Sequence, residues 1–138
     1  MRKAVLLVFI AALAPQAAAA AKGGTKVMNS IPDTYWGTWA PGAASCKDGD
    51  TQAIVLSAKA YTGPLGKCDV ASVNETTSPK GPTYSARLQC ADPTQAQKKT
   101  PANLIIRPGE ANQISVGLGF DSLKAYQRCA ESTPASKQ

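Results

Sequence analysis

Apolar and polar residues alternate in short stretches along most of this chain, and eight of those stretches read as β-strands: Tyr35–Ala40, Gln52–Ser57, Lys59–Thr62, Lys67–Asn74, Thr83–Cys90, Asn103–Arg107, Gln113–Leu118 and Leu123–Cys129. Turn-forming residues separate most of them: Pro41-Gly42, Lys47-Asp48-Gly49-Asp50, Gly63-Pro64, Gly66, Ser78 to Pro82, Asp92-Pro93 and Pro108-Gly109. No window sustains a helical period with caps. Asp92 to Lys99 has the makings of one short helix, with Pro101 close behind. Eight short strands spaced about ten residues apart predict an all-β domain, a small antiparallel meander forming a barrel or sandwich of about six to eight strands. The inward positions of that meander are Trp39, Ile54, Leu56, Val70, Ala86, Leu88, Leu104, Ile106, Ile114, Val116, Leu118 and Leu123.

The first residues follow a different pattern. Met1-Arg2-Lys3 is positively charged, Ala4 to Ala14 is an unbroken apolar run, and Pro15, Gln16 and the alanines to Ala21 offer small-residue cleavage positions. That order is a secretory signal, residues 1–21. Pro15 and Gln16 stop the run well short of the roughly 20 apolar residues that span a bilayer, so a membrane anchor is not expected. The mature chain of 117 residues divides into a flexible lead at 22–30, one β domain at 31–129 and a flexible tail at 130–138. It keeps thirteen Lys and Arg against nine Asp and Glu, a balance of +4, spread singly except at Lys98-Lys99. Nucleic-acid binding asks for a clustered basic patch with interleaved aromatics, and the spread of charge points away from it.

All four cysteines, Cys46, Cys68, Cys90 and Cys129, fall in the mature part. An even count in an exported chain predicts two disulfides. Zinc competes poorly, because there is no histidine and no C-x-x-C pair. Of three possible connectivities, one is favoured by a hairpin folded about Ser78-Pro79-Lys80-Gly81-Pro82. That fold sets Cys68 opposite Cys90, Val70 opposite Leu88, Ser72 opposite Ala86 and Asn74 opposite Tyr84, with Val73 on the polar outer face. Cys46 is then left for Cys129. Loop entropy assigns roughly 3 kcal/mol to the shorter bridge and roughly 4.5 kcal/mol to the longer.

The chemistry of the remaining residues is sparse. Without histidine there is no Ser-His-Asp or Cys-His arrangement, and the usual general base near neutral pH is missing. Nine scattered acids give no recognisable carboxylate pair. Asp48-Gly49-Asp50 has the start of a calcium loop without its closing Glu and reads as a turn. Asn74-Glu75-Thr76 matches a glycosylation triplet, taken as chance beside a signal of bacterial appearance. The expectation is a protein that is not an enzyme and carries no cofactor or metal.

The stretch Ile31-Pro32-Asp33-Thr34-Tyr35-Trp36-Gly37-Thr38-Trp39 carries the most information. Gly37-Thr38-Trp39, at the start of a first strand, resembles the G-x-W element of the calycin barrels, the lipocalins and bacterial peptidase inhibitors among them. In that family the Trp closes one end of the barrel and an Arg of the last strand packs across it. The resemblance implies a cation–π pair between Arg128 and Trp39. Classical lipocalins are longer than this chain, and the inhibitors carry one disulfide where this chain has cysteines for two. G-x-W followed by four cysteines and a final Arg-Cys also resembles a group of small exported bacterial proteins of unknown function.

Tyr35, Trp36 and Tyr126 are the candidates for an exposed aromatic surface that would anchor a partner; plain core packing is the competing role. The leading expectation is a periplasmic or secreted binding or interaction module of the bacterial envelope, its partner another envelope protein. The inhibitor resemblance implies a second possibility, in which Lys22 to Pro32 enters the cleft of a peptidase. A carrier of a small apolar ligand is a third.

Overall fold

The computed structural model describes residues 24–47, 50–95 and 97–130; the signal at 1–21 and all of the tail but Ala130 lie outside them. Nine strands run β1 (Thr25–Met28), β2 (Gly37–Ala40), β3 (Ile54–Leu56), β4 (Ala60–Gly63), β5 (Gly66–Thr76), β6 (Thr83–Ala91), β7 (Lys99–Pro108), β8 (Gln113–Gly117) and β9 (Lys124–Arg128). Every pairing is antiparallel. Strands β2 to β9 close into an eight-stranded barrel, because β5 pairs with both β4 and β6 and β9 pairs with both β2 and β8. Closure leaves those strands with few unpaired edges, which suits a small all-β domain. Among the described residues there is no α-helix. Three 3-10 turns connect strands, at Asp33–Tyr35, Ala43–Cys46 and Phe120–Ser122. The described residues 92–95 and 97–98 of the stretch expected as a short helix form a loop instead, and Lys99 begins β7. The Asp92 carboxylate accepts the Thr94 and Gln95 amides, and the Lys98 amide donates to the Gln95 carbonyl.

All eight expected strands are present, and the ninth lies in what the sequence presented as a flexible lead. Residues 25–28 pair with β5 from Thr25 opposite Thr76 to Met28 opposite Val73. The reason lies in β5, which at 11 residues outruns its neighbour. Strand β4 covers one edge of β5 only from Gly66 to Asp69, so the backbone groups of Val73 to Thr76 on that edge need another partner. Strand β1 supplies it. The chain then re-enters the body at Ile31, whose amide bonds to the Ala58 carbonyl and whose side chain is fully buried.

The β5–β6 hairpin keeps the expected pairs as far as Cys68–Cys90 and Val70–Leu88 and then departs from them. A β-bulge between Val70 and Ser72 places Ser72 opposite Arg87, Val73 opposite Ala86 and Asn74 opposite Ser85. One extra residue on β5 exchanges the faces of everything after it. Val73, expected outside, is therefore at 0% exposure in the core, and Asn74 turns outward. The two disulfides join Cys68 to Cys90 across this hairpin and Cys46 to Cys129, tying the β2–β3 connection to the end of β9.

The interior is filled with side chains. Ile31, Ile54, Leu56, Val73, Leu88, Leu104 and Ile106 are the largest of those sealed from solvent, with Trp39 at 2% exposure beside them. Two residues expected inside are not buried: Leu118 is exposed and Leu123 half-exposed. Strand β8 ends at Gly117, so both sit in the β8–β9 connection, beyond the alternation that a strand would impose.

Candidate functional site

The G-x-W element lies at one end of the barrel, and its geometry accounts for each residue type. Trp39 points into the core and its indole N–H donates to the Tyr35 carbonyl at 2.8 Å. Arg128, opposite Trp39 in the β2–β9 register, lays its guanidinium over that indole, 4.2 Å from the ring centroid. The same guanidinium donates to the carbonyls of Trp36 at 2.6 Å and Thr34 at 2.5 Å. Gly37 holds φ at +122°, and a Cβ there would sit 3.0 Å from Arg128 Nη1. Both the backbone conformation and the space under the arginine therefore call for glycine. The result is a plug: one planar cation stacks on a buried indole and closes two carbonyls of the incoming chain.

Beneath the plug, Tyr35 and Tyr84 meet edge to face with centroids 5.2 Å apart. Burial, with Tyr84 and the Glu75 carboxylate nearby, pushes the Tyr35 phenol up to about 12. Tyr84 is raised too, by burial first and Glu75 second. Neither phenol is disposed to act as a base.

The three aromatics expected to share an exposed surface do not share one. Tyr35 is 8% exposed and belongs to the core, and Trp36 is 43% exposed at the plugged end. Tyr126 is half-buried in the middle of β9 and packs on the core, nearer the opposite end. Trp36 itself is held, its indole N–H donating to the Ile31 carbonyl at 2.9 Å. The sequence marked these residues as aromatics near a strand, but only the closed barrel determines which of them reach the outside.

Comparison with known protein families, with curated proteins and with solved structures gives no match for this chain. The site must therefore be read from its own geometry.

The end opposite the plug is the open one. A cavity of about 270 Å³ lies there, lined among others by Tyr61, Leu65, Leu104, Val116, Leu118 and Tyr126. Burial raises the Tyr61 phenol above its ordinary range, with a backbone bond at Leu65 acting against it. The cavity is apolar and smaller than the roughly 300–1,000 Å³ usual for ligand sites. Sequence reasoning missed Tyr61 and Leu65, although Tyr61 alternates correctly with the exposed Ala60 and Thr62. Among the described residues, all cysteines are bridged and no group of three or more His, Cys, Asp or Glu comes together.

Proposed function

We propose that this protein is a binding or interaction module of the bacterial envelope, periplasmic or secreted, that acts through its outer surface without catalysing a reaction. The observation that carries the reading is the filled barrel: a plugged end, a core of sealed aliphatic side chains, and a cavity of about 270 Å³ at the open end. Two disulfides fit an oxidising compartment. The signal-like first residues support export. The closed barrel with Arg128 over Trp39 supports the likeness to calycin barrels as a scaffold.

The peptidase-inhibitor reading requires a free segment near the start of the mature chain. Four residues of that segment are instead paired as β1 with β5, which favours a scaffold role for them. Native mass spectrometry of the exported protein, purified without denaturant, tests the proposal. The expected mass is that of the mature chain with two disulfides and nothing else; a retained apolar molecule would establish a carrier and overturn the reading.

A further inference from the structure

The outer wall of β5, β6 and β7 carries a groove that neither the core nor the plug explains. Two rows of side chains cross it in register. The first joins Thr25, Thr76 and Thr83 across β1, β5 and β6, and Arg107 and Ser115 across β7 and β8, beside the Tyr84–Ile106 pair. The second runs Val27, Asn74, Ser85, Ile105, Gly117. A third, shorter row of Ser72, Arg87 and Asn103 follows on the same face. The bulge at Val70–Ser72 is what turns Asn74 and Thr76 outward to join these rows.

One wall of the groove is built by the β8–β9 connection. At Gly117 a Cβ would meet the Ser122 carbonyl oxygen at 2.6 Å, so the absent side chain lets the Phe120–Ser122 turn press against the strand. Phe120 is thereby carried to the groove beside Ile105 and remains 67% exposed. Ile105 is outward-facing yet only 6% exposed. The groove is open to solvent along one side and holds about 470 Å³, within the range of ligand sites.

The lining identifies a ligand class. Its floor is made of hydroxyl and amide groups from Asn74, Thr76, Thr83 and Ser85, able to exchange hydrogen bonds with a polyhydroxylated molecule. An exposed phenyl ring at the edge offers a face for an apolar C–H surface. Arg107 lies in the groove, and Arg87 lies on the same face four residues along β6 from Thr83, which also lines it, or about 13 Å. Among the described residues neither arginine makes an ion pair, and the three rows contain no acid. Two acids nearby are engaged elsewhere: Glu75 faces the other way beside Tyr84 and Asp69 is paired with Lys99, while the Asp121 carboxylate lies against Gly119. From these features we infer that the groove binds an acidic saccharide chain, its carboxylates on Arg107 and Arg87, its hydroxyls on the Thr–Ser–Asn floor and one ring on Phe120. Nucleic acid fits less well, because base binding uses successive aromatic platforms and the groove has one.

This inference rests on the outer-surface reading and names its ligand class. The test is titration of the full mature protein, disulfides intact, with a hexamer of uronic acid residues, followed by amide shifts and calorimetry. Binding is expected, with shifts at Thr83, Ser85 and Arg107. R107Q and F120A, both changes at the surface, should each weaken it about tenfold. K47Q, on the opposite side of the barrel, removes the same charge and should leave affinity unchanged. Failure of the hexamer to bind, shifts confined elsewhere, equal weakening by K47Q, or equally tight binding of a neutral glucose hexamer or a single-stranded oligonucleotide would each overturn the saccharide assignment. None of those results adds a molecule to the native mass, so the outer-surface reading fails only by its own test.

Discussion

Arg128 does three jobs with one planar group, and Gly37 exists in its conformation because of where that group sits. Replacing Arg128 by Lys keeps the charge but loses the stacked plane and one of the two carbonyl bonds; a cost of about 1–2 kcal/mol is expected in urea unfolding. Gly37→Ala should cost about 1–3 kcal/mol through its positive φ and its contact with Nη1. Because the two residues touch, R128A should relieve part of the G37A penalty, and the double mutant should be more stable than the sum of the singles. Additivity within error would remove the contact from the explanation.

Tyr35 makes a prediction of a different kind. Its folded pKa of about 12 stands above the ordinary value of 10.0. Below pH 10 both the folded and unfolded chains hold the proton, and the stability contribution is fully present. Between pH 10 and 12 the unfolded chain releases the proton first, so stability falls as pH rises, by about 2–3 kcal/mol in all. Urea unfolding at pH 9, 10 and 11 should show this fall in the natural protein and a smaller one in Y35F. Equal slopes would mean that other groups carry the alkaline transition.

At the scale of elements, the strands were legible and their exact faces were not. Period-two alternation gave eight strands and the Cys68–Cys90 register, since both depend on local sequence. The bulge was hidden because Ala71-Ser72-Val73 offers no glycine or proline to announce it, and small residues read equally well on either face. Strand β1 was hidden because the requirement for it comes from β5, some 45 residues later in the chain. The candidate site fared worse for the same reason. Tyr35 and Tyr126 look alike in sequence, and only the closing of the barrel buries one and half-buries the other. The bulge supplies its own check: Val73→Ala should cost about 1–2.5 kcal/mol as a buried truncation, whereas Val27→Ala, 69% exposed on β1, should fall within about 0.5 kcal/mol of zero. The reverse order would restore the unbulged register.

At the scale of the molecule, two covalent links constrain loops of very different size. Cys46–Cys129 spans 83 residues and Cys68–Cys90 spans 22. On loop entropy, replacing the first pair with serines or alanines should cost about 4.5 kcal/mol and the second about 3 kcal/mol. Thermal unfolding of the two double variants should place the Cys46–Cys129 variant lower. Should the short-loop variant prove the weaker one, packing of the hairpin and not chain entropy governs the effect.

Closure by β9 also fixes an order of events. Strand β9 bonds to β2, near the start of the domain, and to β8, just before it. Ribosomes deliver the chain from its first residue onward. Until β9 emerges, β2 and β8 each lack a neighbour, Trp39 has no cation above it and Cys46 is without its partner, Cys129. The barrel is therefore built to wait, and its final seal is a matter of timing: the last strand delivered is the one that shuts it.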